Sequence, residues 1–265
     1  MLTKRNQTAL CTVLLTCFAA TAFGHGGGGD IAVFSANGKV EIGFATLDSN
    51  DAEQETFDPN DIVHQAVLTP LSNQPPFIPW EIGSTEPGFD ANENELPALA
   101  AISYNVVSIK HWDGVGTPVF TPTSDVTGGY APQPDQADSL GGYHRHPTFG
   151  FSDLTKGSQP IANGVYLTEL TISVDGLEDS DPFYLVALVD EVVNSQADPV
   201  AAAEELGQAT RDYLADPSAG EPMLDGKSYT FYADAITFVE ALAVPEPSTA
   251  MLVFLAVGAA VTRRR

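Results

Sequence analysis

The alternation of apolar and polar positions sets the first expectations. Ile31-Ala32-Val33-Phe34 and Val40-Glu41-Ile42-Gly43-Phe44 flank Asn37-Gly38. Asn and Gly both tolerate positive φ, so an Asn-Gly pair between two β-prone runs predicts a hairpin. Residues 98–112 (ALAAISYNVVSIKHW) mix alternating and continuous apolar stretches and predict one long strand or a strand pair. Residues 165–174 (VYLTELTISV) alternate cleanly, and 183–189 (FYLVALV) form a continuous run suited to a buried strand. A short strand is expected at 117–120, an extended segment at 144–151, and one or two closing strands within 229–242. The acidic stretch 48–61, the proline-rich stretch 69–97 and the Gly/Pro/Ser/Asp-rich stretch 121–142 are expected as loops, the second of them packed through Phe77 and Trp80.

One helix is predicted. Asp198 suits an N-cap and Pro199 a first helical position. Ala201 to Leu214 is rich in good helix formers, with Val200, Ala203, Leu206, Thr210 and Tyr213 near helical spacing, and Asp216-Pro217 stops it. Several short strands separated by turns, with one helix, predict a mainly β fold: an antiparallel β-sandwich with a peripheral α-helix.

Charge narrows the functions open to such a body. Residues 25–243 hold 6 basic and 34 acidic residues, a net of −28. A surface of that sign repels phosphate backbones, which argues against nucleic-acid binding. Both cysteines, Cys11 and Cys17, fall in the first segment. If that segment is removed, the remaining chain has no thiol for disulfides, thiolate metal sites or nucleophilic catalysis.

The two ends carry signals of their own. Lys4 and Arg5 precede an apolar run from Ala9 to Ala20, and small residues follow at Ala22 and Gly24. This is the order of a secretory signal peptide spanning 1–24, with cleavage after either Ala22 or Gly24. The body is then 25–243. The tail, 244–265, has Pro245-Glu246-Pro247, an uninterrupted apolar run from Ala250 to Val261, and Arg263-Arg264-Arg265. The prolines block helix entry, the run suits a short transmembrane helix, and the arginines favour the cytoplasmic side. In that order these three parts resemble a PEP-CTERM sorting signal. The resemblance implies an exosortase-type processing enzyme as partner, transient anchoring in the cytoplasmic membrane, and delivery to the cell surface or extracellular matrix. It covers the tail alone and implies no activity for the body. Extracellular polysaccharide is a candidate partner.

The candidate chemistry in the body is sparse. There is no Gly-x-Ser-x-Gly elbow, no His-Glu-x-x-His and no phosphate loop, so no enzyme is expected. Five histidines are present, and His144-Arg145-His146 is the pair to note. Residues two apart in an extended chain share a face, and Pro147 biases His146 toward that state. Two imidazoles on one face suit Cu²⁺ or Zn²⁺ but need a third ligand. Cleavage after Gly24 would expose His25 with a free α-amine beside its imidazole, which makes His25 a candidate third donor. His111 and Trp112 read as a strand end with a core tryptophan. Calcium is the other candidate, through Asp90-Ala91-Asn92-Glu93-Asn94, through Asp48, Asp51, Asp58 and Asp61, or through Asp175, Asp179 and Asp181. The leading expectation is a non-catalytic surface or matrix protein; the alternative is an extracellular metal-binding protein.

Overall fold

A computed structural model describes residues 30–47, 53–56, 61–71, 77–154 and 160–243. The expected signal peptide, His25, Pro245, Glu246, Pro247 and the apolar tail lie outside the described residues. Among those described, no helix is long and apolar enough to cross a membrane.

The chain is mainly β, as the apolar patterning predicts. In order, the strands are β1 (Ile31–Ala36), β2 (Lys39–Leu47), β3 (Glu53–Thr56), β4 (Val63–Pro70), β5 (Ile82–Ser84), β6 (Phe89–Ala91) and β7 (Ala101–Trp112). They continue with β8 (Thr121–Pro122), β9 (Val126–Ala131), β10 (Asp135–Gln136), β11 (Tyr143–Arg145), β12 (Thr148–Asp153), β13 (Gly164–Val174) and β14 (Phe183–Val189). Helices α1 (Glu191–Asn194), α2 (Pro199–Ala215) and α3 (Thr230–Ala243) follow, with the short paired strands β15 (Met223–Leu224) and β16 (Lys227–Ser228) between α2 and α3. A five-stranded sheet has the order β11-β6-β1-β2-β3, and a larger one the order β10-β7-β13-β14-β4-β5-β12-β9, with β8 beside β7.

The hairpin forms where Asn-Gly places it: Ala36 pairs with Lys39, and Asn37 and Gly38 take φ of 54° and 83°. The helix cap also forms as expected, with the Asp198 carboxylate accepting from the Ala201 N–H at 3.2 Å.

The larger sheet is covered on both faces at β14. Phe183, Leu185, Ala187 and Val189 of β14 share a core with Ile31, Val33, Val40 and Ile42 of the smaller sheet. Val186 and Leu188 point the other way and pack with Leu206 of α2 and Tyr232, Ile236 and Val239 of α3. A strand covered on both sides must be apolar throughout, which explains the unbroken run FYLVALV.

Several expectations are corrected. The sheets are not purely antiparallel, because β14 pairs with β4 and β1 with β6 in parallel. There are three helices among the described residues, not one. Residues 229–242 do not close the sheet as strands but form α3, whose buried Tyr232, Ala233, Ile236 and Val239 follow helical spacing. Its Tyr232 hydroxyl donates to the Ala66 and Val186 carbonyls, 2.9 and 3.0 Å away on neighbouring strands. The stretch 121–142 holds β9, in which Gly128 and Gly129 lie against β12: a Cβ on Gly128 would come within 2.2 Å of the Phe151 ring. β3, β5 and β6 likewise fall within stretches expected as loops, and the expected strand at 117–120 appears at Thr121–Pro122 instead.

Candidate metal centre

β6 is three residues long and joins two other strands. It runs parallel to β1, with Ala32 opposite Asp90, and antiparallel to β11, with His144 opposite Asp90. This register brings residue 30, the segment 86–90 and residues 144–146 together at one end of the smaller sheet.

His144 and His146 share a face, as the i, i+2 spacing predicts. Their ring centroids are 5.1 Å apart, at 70° to one another. The third group is Asp30, immediately before β1. Ligand atoms of Asp30, His144 and His146 all lie within 4.8 Å of one another, and this is the one such trio among the described residues. The Asp30 side chain is 3% exposed, against 36% for His146 and 57% for His144. A buried carboxylate thus forms the floor of a site whose imidazoles reach solvent.

Asp30 is held from one side. Its Oδ1 accepts the Gly88 N–H at 2.8 Å, while the Ile31 N–H donates to the Gly88 carbonyl at 2.9 Å. Its Oδ2 is buried and has no hydrogen bond among the described residues. That atom lies 3.3 Å from His146 Nε2 and 3.8 Å from His144 Nδ1, close enough for ion pairing but without hydrogen-bond geometry. Gly88 must lack a side chain here, because a Cβ would meet His146 Nδ1 at 2.7 Å and Asp30 Oδ1 at 2.8 Å.

An outer carboxylate flanks one imidazole: Glu86 Oε1 is 3.1 Å from His146 Nδ1, the nitrogen turned away from Asp30. Asp90 Oδ1 is 3.3 Å from His144 Nδ1, the same nitrogen that faces Asp30, so it competes with Asp30 for that atom. Burial pushes the Asp30 carboxyl above the usual range, against the pull of His146, the Gly88 N–H and His144. Burial also raises Glu86, again opposed by His146.

The other buried aspartate shows what a satisfied one looks like. Asp190 caps α1 by accepting from the Val192 N–H at 2.9 Å. It also accepts from the Tyr229 hydroxyl at 2.8 Å and from the Lys227 ammonium. Both of its oxygens are used. Asp30 leaves one oxygen aimed between two imidazoles.

These donors fit a divalent transition metal. Tetrahedral ligands at about 2.0–2.1 Å from zinc stand about 3.3 Å apart, close to the 3.3 and 3.8 Å found from Asp30 Oδ2. Two nitrogens and one oxygen suit zinc or copper and are too few and too soft for calcium. His146 can ligate through Nε2 while its Nδ1–H donates to Glu86, an outer-carboxylate arrangement common to metal-bound imidazoles.

Of the remaining sequence candidates, one borders the site. Asp90 lies against His144, and Asp181 pairs with Lys39 at 2.6 Å. Asp48, Asp51 and Asp58 lie outside the described residues, as does His25. His111 approaches the Asn163 carbonyl at 3.0 Å and packs on Tyr166, while Trp112 is a core residue under the helices. Sequence reasoning did not find Asp30, Glu86 or Gly88. Proximity of Asp30 to His25 was the only available signal.

No protein-family model, curated protein or solved structure matches this chain.

Proposed function

We propose that this is an exported surface or matrix protein, sorted through its tail by an exosortase-type system, whose β body binds one divalent transition-metal ion, zinc or copper, at Asp30, His144 and His146. The observation that carries the metal reading is the buried Asp30 Oδ2, which has no hydrogen bond and faces both imidazoles. A buried carboxylate oxygen without a hydrogen bond is costly, and a bound cation would supply the missing partner. The acidic body favours cation approach. Export and sorting rest on the order of charged, apolar and small residues at the two ends.

Three protein donors leave a four-coordinate ion one ligand short. His25, five residues before Asp30 in the sequence and outside the described residues, is the donor proposed for the fourth position, joined by the α-amine if cleavage follows Gly24.

The test combines metal analysis and N-terminal sequencing of the processed protein with calorimetric titration of zinc and copper. The expected result is a new N-terminus at residue 23 or 25 and one ion bound at micromolar or tighter affinity. Asp30→Asn and His146→Ala should each weaken binding at least a hundredfold, and His25→Ala about tenfold. An intact Met1 would refute export. Binding that Asp30→Asn leaves unchanged would refute the site.

A further inference from the structure

A groove of about 580 Å³, within the range of small-ligand sites, opens elsewhere on the larger sheet. It lies where that sheet curls round until β9, the last strand of its order, comes back against β7. The two strands touch there without pairing. Gln133 spans the seam instead: its side-chain carbonyl accepts the Tyr104 N–H at 3.1 Å, and its NH₂ donates to the Tyr130 carbonyl at 2.8 Å. Phe77, Pro79 and Trp80 form one wall, and Val106 with Gly128 and Gly129 part of the rest.

Three features of the lining define its ligand. None of the described lining residues is charged, although charged residues make up 17% of the chain. A neutral groove on an acidic body selects against ions of either sign. Phe77 is 62% exposed, an unusual position for a large aromatic ring, and the half-buried Trp80 indole stands beside it with its N–H turned into the protein. Aromatic faces beside a neutral side-chain amide, that of Asn105, suit ligands that present both C–H surface and hydroxyls. Gly128 and Gly129 add no side chains, so part of the β9 side of the groove is bare backbone, with Tyr130 and Ala131 completing it.

An extended peptide adding to a free sheet edge is the rival occupant. The pairing of β7 with β13 slips at Glu169/Leu170, leaving Val107 as an extra, exposed residue in β7. A bulge interrupts the regular ladder of donors and acceptors that an incoming strand needs. The groove is bordered by that bulge at Val106. We infer that the seam groove binds a neutral carbohydrate chain, with Phe77 and Trp80 as its stacking platforms.

Trp80 and Trp112 are the only tryptophans, and Trp112 lies in the other core. Trp112→Phe therefore leaves Trp80 as sole fluorescent reporter of the groove. This variant is titrated with dextran, soluble starch, hydroxyethyl cellulose and galactomannan, with alginate and an uncharged extended peptide in parallel. Native gels containing each polymer provide a readout for the unsubstituted chain. At least one neutral polysaccharide should shift Trp80 emission saturably and retard the protein. Phe77→Ala should weaken that binding about tenfold, the effect of losing one ring's buried surface, with no change in melting temperature. Retardation by none of the four neutral polymers, unchanged binding by Phe77→Ala, or a response to alginate or the peptide alone would overturn the assignment.

Discussion

His64 should make the fold acid-sensitive in a window that can be computed. It sits buried in β4, stacked near Phe44 and edge-on to Phe183, and its Nε2 has no hydrogen-bond partner among the described residues. Burial alone drives its pKa from 6.5 down to about 3. A base whose folded pKa is depressed weakens the fold as pH drops through its unfolded value, because only the unfolded chain takes up the proton. The loss begins near pH 6.5 and continues to about pH 3. At pH 5 it amounts to about 2 kcal/mol, a figure set by the unfolded value because the folded one lies well below 5. That is a large share of the ~5–15 kcal/mol that holds a typical domain together. Glu240 acts in the opposite sense. Burial, with a smaller push from Asp61, raises its carboxyl to about 7, so its contribution is present below the ordinary 4.5 and is lost as pH rises through 7. Asp30 and Glu86, also raised, work in the same direction as Glu240. The pH profile of the unsubstituted protein therefore mixes both signs, and a difference isolates His64. His64→Leu keeps the volume roughly constant and removes the titrating group. Urea denaturation of both proteins, followed by tryptophan emission with EDTA present, should be run at pH 7, 6 and 5. The variant should gain about 2 kcal/mol on the unsubstituted protein between pH 7 and 5. A difference that stays flat to within about 0.5 kcal/mol over that range would show that His64 is protonated or hydrated in the folded state.

Two further outcomes follow from single contacts. Tyr232→Phe removes the hydroxyl that ties α3 to the Ala66 and Val186 carbonyls, and urea denaturation should show a loss of about 1–2 kcal/mol; a change below about 0.3 kcal/mol would mean that apolar packing alone seats the helix. Gly88→Ala puts a methyl within 2.7–2.8 Å of both His146 and Asp30. It should lower zinc affinity at least tenfold in titration calorimetry while the far-ultraviolet dichroism keeps its β signature, and unaltered affinity would mean that the site gives way without loss.

What the sequence revealed of the fold was its local part. Asn37-Gly38 specifies a turn by backbone preference, and Asp198-Pro199 specifies a helix start by capping, so both were readable without knowledge of the rest. The alternation in β13 was readable because one period covers it. Residues 229–242 failed for the opposite reason. TFYADAITFVEALA is rich in aromatic and branched residues, which favour strands, and only the spacing of Tyr232, Ile236 and Val239 reveals the helical face. Burial against the larger sheet decides in favour of that spacing. The parallel pairing of β4 with β14 could not be read at all, since it depends on which distant segments pack together.

The site divides along the same line. That two imidazoles share a face follows from i, i+2 spacing in extended chain, and His144 and His146 do so. That Asp30 joins them depends on β6, which stands between β1 and β11 and has no apolar pattern of its own beyond Phe89. β6 and β11 have three residues each, so the backbone ladders linking them to β1 are short. An ion held by Asp30 on one side and by His144 and His146 on the other would span β6 and fasten the outer strand to the inner one directly. In this arrangement the metal would substitute for ladder that the short strands do not provide. It would also resolve the contrast between the two buried aspartates: Asp190 has a lysine, a tyrosine and a backbone N–H to satisfy it, whereas Asp30 Oδ2 faces two imidazoles with no hydrogen bond among the described residues, a place that a cation from solution would fill.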